Sequence, residues 1–166
     1  MPDREQRFAA MLDAVAAVSA GRPPRLLDLA GGTGTIALRT LARFPGAEIT
    51  VLDQDPVLLA IAGASLRDRA TIVDTDLGDP SWRAKLSADG FDAVLTATAL
   101  HWLPTERVAA LYGEIREVLR PGGGRARADL PGQEPQPGVD PTGRVARGGA
   151  AGGRLRRRGR PVARRH

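Results

Sequence analysis

The stretch that decides the fold is RLLDLAGGTGTIAL, residues 25–38. Its first half is short and apolar, which predicts a buried β-strand. Gly31, Gly32 and Gly34 follow at once, and glycine permits both a positive φ and a close approach of a ligand to the backbone. A helical pattern begins after them, so the free N–H groups of a helix face the end of the strand. This strand–turn–helix unit predicts an α/β fold with a ligand site at the turn.

The rest of residues 1–123 repeats the alternation of strand and helix. Asp55-Pro56 and Asp79-Pro80 each place a capping residue before a proline, which is typical of a helix start. Parallel strands joined by helices predict a Rossmann-like doubly wound parallel sheet that is covered on both faces. Strands are predicted at 25–30, 48–53, 70–74 and 91–97, and helices at 4–20, 33–43, 56–62, 82–86 and 104–119.

The composition excludes several classes of protein. The chain has 166 residues, no cysteine and a formal net charge of +5. Without cysteine it has no disulfide scaffold and no thiolate metal site, and we predict no bound metal. No apolar run reaches the roughly 20 residues that a membrane span needs. The charged N-terminal sequence, MPDREQRF, lacks the apolar stretch of a signal peptide, so we predict a cytoplasmic protein.

The charge is unevenly distributed along the chain. Residues 124–166 contain 11 arginines, three acidic residues, nine glycines and five prolines. Such a segment has too few apolar residues to form a core. The composition therefore predicts a domain over residues 1–123 and a disordered tail over residues 124–166.

An acidic residue follows the second predicted strand. Asp53 ends that strand, nineteen residues after Gly34. In such folds the carboxyl ends of neighbouring strands meet at one edge, and a carboxylate there can accept both hydroxyl protons of a ribose. The glycine turn and Asp53 together predict a nucleoside-containing cofactor.

Two classes of cofactor compete for this site. Residues 32–37, GTGTIA, match the G-x-G-x-x-A pattern of dinucleotide-binding proteins. Asp28, however, lies just before the turn, and a carboxylate there would repel a pyrophosphate. A cofactor with a sulfonium and an ammonium group, such as S-adenosylmethionine, would be favoured by the same charge.

Four motifs resemble those of the class I S-adenosylmethionine-dependent methyltransferases. LLDLAGGTGTIAL (26–38) is similar to the first motif of that family, and VLDQDP (51–56) to the second. FDAVLTATALHWL (91–103) resembles the fourth-strand motif, and VLRPGG (118–123) resembles the turn before the fifth strand. The sequence departs from the pattern at Ala30, where the first glycine of the motif is expected. The resemblance implies S-adenosylmethionine as cofactor and methyl transfer to a small molecule as the reaction.

The resemblance also implies roles for individual residues. The methionine part of the cofactor would lie against the loop and the end of the fourth strand, and the nucleoside against the ends of the second and third strands. His101 would be the catalytic base, beside Trp102, for an acceptor that must lose a proton. The implied loop residues are Asp28, Ala30, Gly31, Gly32 and Gly34; Asp53 and Gln54 would bind the ribose side, Asp76 and Leu77 the adenine, and Thr96 to Thr98 the methionyl group.

The family pattern predicts a fifth hydrophobic strand after Gly123, but the sequence continues GRARADLPGQEPQP. We therefore expect an incomplete sheet of four parallel strands, truncated after the fourth strand and its helix. Arginine, glycine, proline and alanine have GC-rich codons, which suggests the hypothesis that residues from about 124 onward are a frame-shifted read.

Two other functions stay open at this point. The G-x-G-x-x-A match allows an NAD(P)-binding oxidoreductase domain, although Tyr112 is not followed by the lysine of a hydride-transfer pair. The basic tail allows a non-enzymatic nucleic-acid-binding protein, although it has no aromatic residue to stack on bases. The sequence does not indicate the oligomeric state.

Overall fold

The computed structural model describes residues 3–88, 90–97 and 99–127. They form a five-stranded, all-parallel sheet with the order β3-β2-β1-β4-β5. This confirms the predicted Rossmann-like α/β fold. The elements are α1 (Arg4–Ser19), β1 (Arg25–Leu29), α2 (Thr35–Arg43), β2 (Glu48–Asp53), α3 (Pro56–Leu66), β3 (Thr71–Asp74), β4 (Phe91–Thr96), α4 (Thr105–Val118) and β5 (Leu119–Arg127), with 3₁₀ turns at Arg67–Arg69, Trp82–Lys85 and Leu100–Trp102.

Local capping fixes where two of the helices begin. The Asp3 side chain accepts from the Gln6 N–H, and the Gln6 side chain accepts from the Asp3 N–H, which closes a capping box at α1. Asp55 caps α3 by accepting from the N–H groups of Val57 and Leu58. Pro56 occupies the first turn of α3, as the Asp-Pro pair predicts.

The central strand β1 is buried on both faces of the sheet. Leu27 and Leu29 pack on the side of α4, together with Trp82, whereas Leu26 packs on the side of α1 and α2. A parallel strand that is buried on both faces is typical of the interior of a sheet. The pairing agrees, since β1 pairs with β2 on one side and with β4 on the other. Helices therefore cover both faces, and the carboxyl ends of β1 to β4 share one edge.

The prediction of only four strands is wrong, because β5 pairs in parallel with β4. Phe91 pairs with Leu119 and Ala93 with Gly124, with a register shift between them. Strand pairing uses backbone groups, so the exposed edge of β4 can hold a chain of glycine and arginine that lacks β-forming side chains. The sheet thus continues past residue 123, and the predicted disordered tail, beyond Arg127, lies outside the described residues.

The amino-end edge of the sheet carries an ion cluster around one buried carboxylate. The side chain of Asp92, at the start of β4, accepts from the Arg25 N–H at 2.7 Å. It also forms ion pairs with Arg22, before β1, and with Arg120 on β5. This carboxylate therefore ties β4 to both of its neighbours, at the edge opposite the glycine turn.

Among the described helices, none is long and apolar enough to cross a membrane.

Candidate functional site

The glycine turn after β1 follows a left-handed path. Ala30, Gly32 and Gly34 all have positive φ, of 51°, 55° and 77°. The Gly31 N–H donates to the Leu52 carbonyl at 3.0 Å, and the Gly34 N–H donates to the Gly31 carbonyl at 2.9 Å. Ala30 thus adopts a backbone conformation that suits glycine, the residue expected at this position.

Two of the glycines are required by close packing. A Cβ atom at Gly31 would lie 2.7 Å from Val51 Cγ1 and 2.8 Å from Asp28 Oδ2. A Cβ atom at Gly34 would lie 2.8 Å from Leu66 Cδ1. Gly31 therefore lets the turn lie on β2 and on Asp28, while Gly34 lets α2 pack on α3.

Asp53 joins the turn to the end of β2. Its Oδ2 atom accepts from the Gly32 N–H at 2.9 Å, and its Oδ1 atom accepts from the Asp55 N–H at 3.0 Å. Each carboxylate oxygen can accept a further hydrogen bond. Asp53 is thus fixed by the backbone and still has lone pairs for a ligand.

A cleft of about 370 Å³, which we call the acidic cleft, opens at the carboxyl ends of β1 to β4. Three aspartates line it, and leucines and alanines form most of its other walls. This combination suits a ligand with an apolar plane and several hydroxyl or amino groups. The lining residues are Ala30, Gly32, Leu52, Asp53, Gln54, Asp55, Leu58, Thr75, Asp76, Leu77, Ala97, Ala99, Trp102 and Leu103.

A second recess of about 530 Å³, the arginine recess, shares Ala30, Gly32, Leu58 and Ala97 with the acidic cleft. Its other walls are Arg4, Arg7 and Phe8 of α1, together with Gly31, Thr33, Thr35 and Ile36. No acidic side chain is among the described residues that line it. The two neighbouring spaces therefore have opposite charge.

Several buried polar atoms at the same edge have no hydrogen-bond partner. Within the described part of the chain, these are both carboxylate oxygens of Asp28 and the hydroxyls of Thr75 and Thr96. They lie in β1, just after β3 and at the end of β4. Most buried polar groups in proteins are hydrogen-bonded, so this concentration at one edge indicates a site that a ligand completes.

The Asp28 side chain is the most perturbed of these groups. Its exposed fraction is 1%. Burial raises the pKa of Asp28 to about 8, the negative charge of Asp53 adds to the increase, and the backbone N–H of Ala37 opposes it. Asp28 is thus largely protonated at neutral pH in the unliganded chain. The repulsion of a pyrophosphate by Asp28, inferred from the sequence, is correspondingly weak and does not decide between the two cofactor classes.

The structure brings most of the predicted site residues together, but not all of them. Asp28, Gly34 and Thr96 are buried and line neither space. The ring of His101 is half-buried and lies 4.7 Å from that of Trp102, centroid to centroid. Trp102 lines the acidic cleft, whereas His101 does not. Thr98 lies outside the described residues.

Sequence reasoning missed several residues that line the two spaces, among them Thr75, Arg4 and Arg7. Thr75 lies between β3 and Asp76, where only its position after a strand could have marked it. Arg4 and Arg7 lie on α1, one turn apart, and a pair of basic residues on a helix commonly faces solvent. Only the fold shows that this side of α1 faces the glycine turn.

Comparisons with known proteins decide the family. A family model described as "Methyltransferase domain" matches residues 26–123, the stretch from β1 into β5. The chain belongs to this methyltransferase domain family. The match covers the glycine turn, Asp53, the loop after β3 and the end of β4, which form the edge at which both spaces open.

Individual relatives agree with the family. The chain is 39% identical over 104 residues to a ubiquinone/menaquinone biosynthesis C-methyltransferase, UbiE, of Methylobacterium nodulans, covering 61% of this chain and 40% of that protein. It is 32% identical over 92 residues to a release factor glutamine methyltransferase of Gloeobacter violaceus, covering 55% and 32%. A solved amino pentose methyltransferase of Micromonospora echinaspora, with S-adenosylmethionine bound, is 27% identical, with a TM-score of 0.55 and 69% and 47% coverage. The chain thus spans 32% to 47% of the length of these relatives.

Proposed function

We propose that this methyltransferase domain binds S-adenosylmethionine and transfers its methyl group to a small molecule. The observation that carries the proposal is the set of unpartnered buried polar groups, Asp28, Thr75 and Thr96, beside a cleft with three carboxylates. The amino pentose methyltransferase, which binds S-adenosylmethionine, and the quinone-biosynthesis relative support the choice of cofactor and acceptor class.

The acidic cleft suits the nucleoside half of this cofactor. Asp53 is held by two backbone N–H groups and can accept the ribose hydroxyls with its remaining lone pairs. Asp76 uses Oδ1 to accept from the Gly78 N–H at 2.7 Å, which leaves Oδ2 for the amino group of adenine. Leu77 and Leu58 supply apolar walls for the base. Gln54 lies beside Asp53 on the same wall.

The arginine recess suits the methionine half. A carboxylate would be attracted by Arg4 and Arg7, and the turn from Ala30 to Gly34 leads from the acidic cleft into this recess. Asp28 lies directly beneath Gly31, and a cation above the turn would lower the pKa of its carboxyl group and favour the ionised form. The charges along this edge therefore match a zwitterionic amino acid joined to a nucleoside.

The cofactor supplies a methyl group that is already activated by a sulfonium. The protein has to hold donor and acceptor in line, and such positioning can lower a barrier by about 7–11 kcal/mol. Ala97 and Ala99, after β4, and the exposed indole of Trp102 lie where an acceptor would approach. For an acceptor that must lose a proton, we propose His101 as the base, which requires its ring to turn from Trp102 toward the cleft.

Calorimetric titration of S-adenosylhomocysteine into the full chain tests this proposal. Asp53→Ala is expected to weaken binding at least tenfold, because two ribose hydroxyls lose their charged acceptor. One hydrogen bond to a charged group is worth about 1.5–3 kcal/mol. Asp13→Ala removes an exposed carboxylate that pairs with Arg43, and is the matched control. A folded chain that binds NADH but not S-adenosylhomocysteine would establish the dinucleotide alternative instead.

Three predictions from the sequence are not addressed by the described residues. The cytoplasmic location stays a prediction. Nucleic-acid binding by the basic tail and the frame-shift hypothesis both concern residues from about 124 onward, of which those beyond Arg127 lie outside the described part of the chain.

A further inference from the structure

A buried network of three side chains lies behind the acidic cleft. Trp82 is fully buried, and its Nε1 donates to Glu114 Oε2 at 2.6 Å. The two terminal nitrogens of Arg107 donate to Glu114 Oε1 and Oε2, each at 2.8 Å. The side chains of Arg107 and Glu114 are only 11% and 14% exposed. The hydrogen bonds from Arg107, and then the bond from Trp82, hold the pKa of Glu114 below its usual range.

This network is connected to the cleft by one further hydrogen bond. Arg107 Nε donates to the Leu77 carbonyl at 2.7 Å. Leu77 and its neighbours Thr75 and Asp76 line the acidic cleft. Other bonds that hold this loop are the Thr75 N–H to Asp53 carbonyl bond, the Asp79 N–H to Asp76 carbonyl bond and the turn that Asp76 makes with Gly78. Arg107 therefore anchors this loop to α4.

The shape of the guanidinium makes this anchor directional. Its terminal nitrogens are fixed by Glu114, which lies two turns further along the same helix, so Nε can point in one direction only. Arginine forms such planar, bidentate contacts, and lysine cannot replace them. Any rotation of Arg107 would shift the Leu77 carbonyl and, with it, the adjacent carboxylate of Asp76.

We propose that Arg107, held by Glu114 and Trp82, is a positioning residue that sets the selectivity of the acidic cleft for an adenine base. The inference rests on the proposed function, in which Asp76 accepts from the 6-amino group of adenine. A 6-oxo base presents an acceptor at that position and repels the carboxylate. Selectivity between the two bases thus depends on the position of the Asp76 carboxylate. Arg107 controls that position through its bond to the loop.

The test compares two ligands on the full chain. S-adenosylhomocysteine and its 6-oxo analogue, S-inosylhomocysteine, are titrated calorimetrically into the unsubstituted chain, Arg107→Lys and Glu114→Gln. The unsubstituted chain should prefer the adenine ligand by about 10- to 150-fold, the value of one hydrogen bond to a charged group. Both variants should lose about tenfold of this preference, mainly through weaker binding of the adenine ligand.

Arg83→Lys is the matched control. Arg83 pairs with Glu117 and so links the Trp82–Lys85 turn to α4, as the bond between Trp82 and Glu114 does. The pair does not include the loop that contains Leu77. The control should keep the full preference. Asp76→Asn should abolish most of it, since this substitution changes the acceptor itself.

The possible results separate the positioning role from simpler ones. Equal weakening of both ligands in Arg107→Lys would mean that the network only stabilises the fold, and would overturn the inference. An unchanged preference in a folded Arg107→Lys or Glu114→Gln chain would overturn it as well, while leaving the proposed cofactor intact. If Arg107→Lys does not fold, Glu114→Gln decides alone. No binding of either ligand by the folded, unsubstituted chain would refute the proposed function and this inference with it.

Discussion

Raising the pH from about 5 to about 7 should destabilise the unliganded chain through Asp28. Burial raises the pKa of this carboxyl group to about 8, against the opposing effect of the Ala37 N–H. In the unfolded chain the same group titrates near 3.8. Between these two values the folded state holds a proton that the unfolded state has lost. Stability therefore falls as the pH rises from about 4 to about 8, and levels off above that.

The size of the effect follows from the single proton. Each pH unit within this window costs about 1.4 kcal/mol of unfolding free energy, so the step from pH 5 to pH 7 costs about 2.7 kcal/mol. Glu5, Asp79 and Glu114 have lowered pKa values, so their contributions change at more acidic pH. Urea denaturation followed by circular dichroism at pH 5, 6 and 7 measures the slope.

Asp28→Asn is the control, since it keeps the shape of the side chain and has no proton to lose. Between pH 5 and pH 7, the unfolding free energy of the unsubstituted chain should fall by about 2.7 kcal/mol more than that of Asp28→Asn. Parallel pH profiles for the two chains would refute the reasoning, because Asp28 would then be ionised in the folded state. A saturating cationic ligand should flatten the profile of the unsubstituted chain.

Two further predictions concern the glycine turn. Ala30→Gly should raise the unfolding free energy by about 0.5–1 kcal/mol. The substitution removes the strain of the left-handed backbone at Ala30, and the greater entropy of glycine in the unfolded chain offsets part of that gain. A fall in the urea midpoint would contradict this. Gly31→Ala should lower it by about 2 kcal/mol or more, because the new methyl group would press on Val51 and Asp28. In that case, a melting temperature equal to that of the unsubstituted chain would show that the turn can move aside.

Local signals account for the parts of the fold that the sequence predicts well. The Asp55-Pro56 pair marks the start of α3, and EITVLD coincides with β2. The glycine turn and Asp53 are close in sequence to the strands that place them, so their meeting at one edge follows from parallel pairing of β1 and β2. For the same reason Asp53 could be assigned to the cleft, whereas the assignment of Leu77 rests on the family resemblance alone.

The features that the sequence did not predict depend on groups without a local pattern. In β5, the pairing of GGGRAR with β4 uses the backbone, so no side-chain signal exists. Arg107 meets Leu77, and Glu114 meets Trp82, across 30 and 32 residues of chain, and each residue alone reads as a helix or core residue. The distance between His101 and the cleft depends on the 3₁₀ turn after β4, whose direction composition does not fix.

The position of β1 at the centre of the sheet also sets an order of assembly. Leu26 pairs with Ile49 across a short βαβ crossover. Its other partner, Ala93, is separated from it in sequence by most of the domain. Closing the longer loop has the larger entropic cost, so the first crossover can nucleate folding while the β1–β4 pairing completes it late. The half of the acidic cleft formed by Asp53 is then built early, and the half formed by Trp102 is added only when β4 arrives.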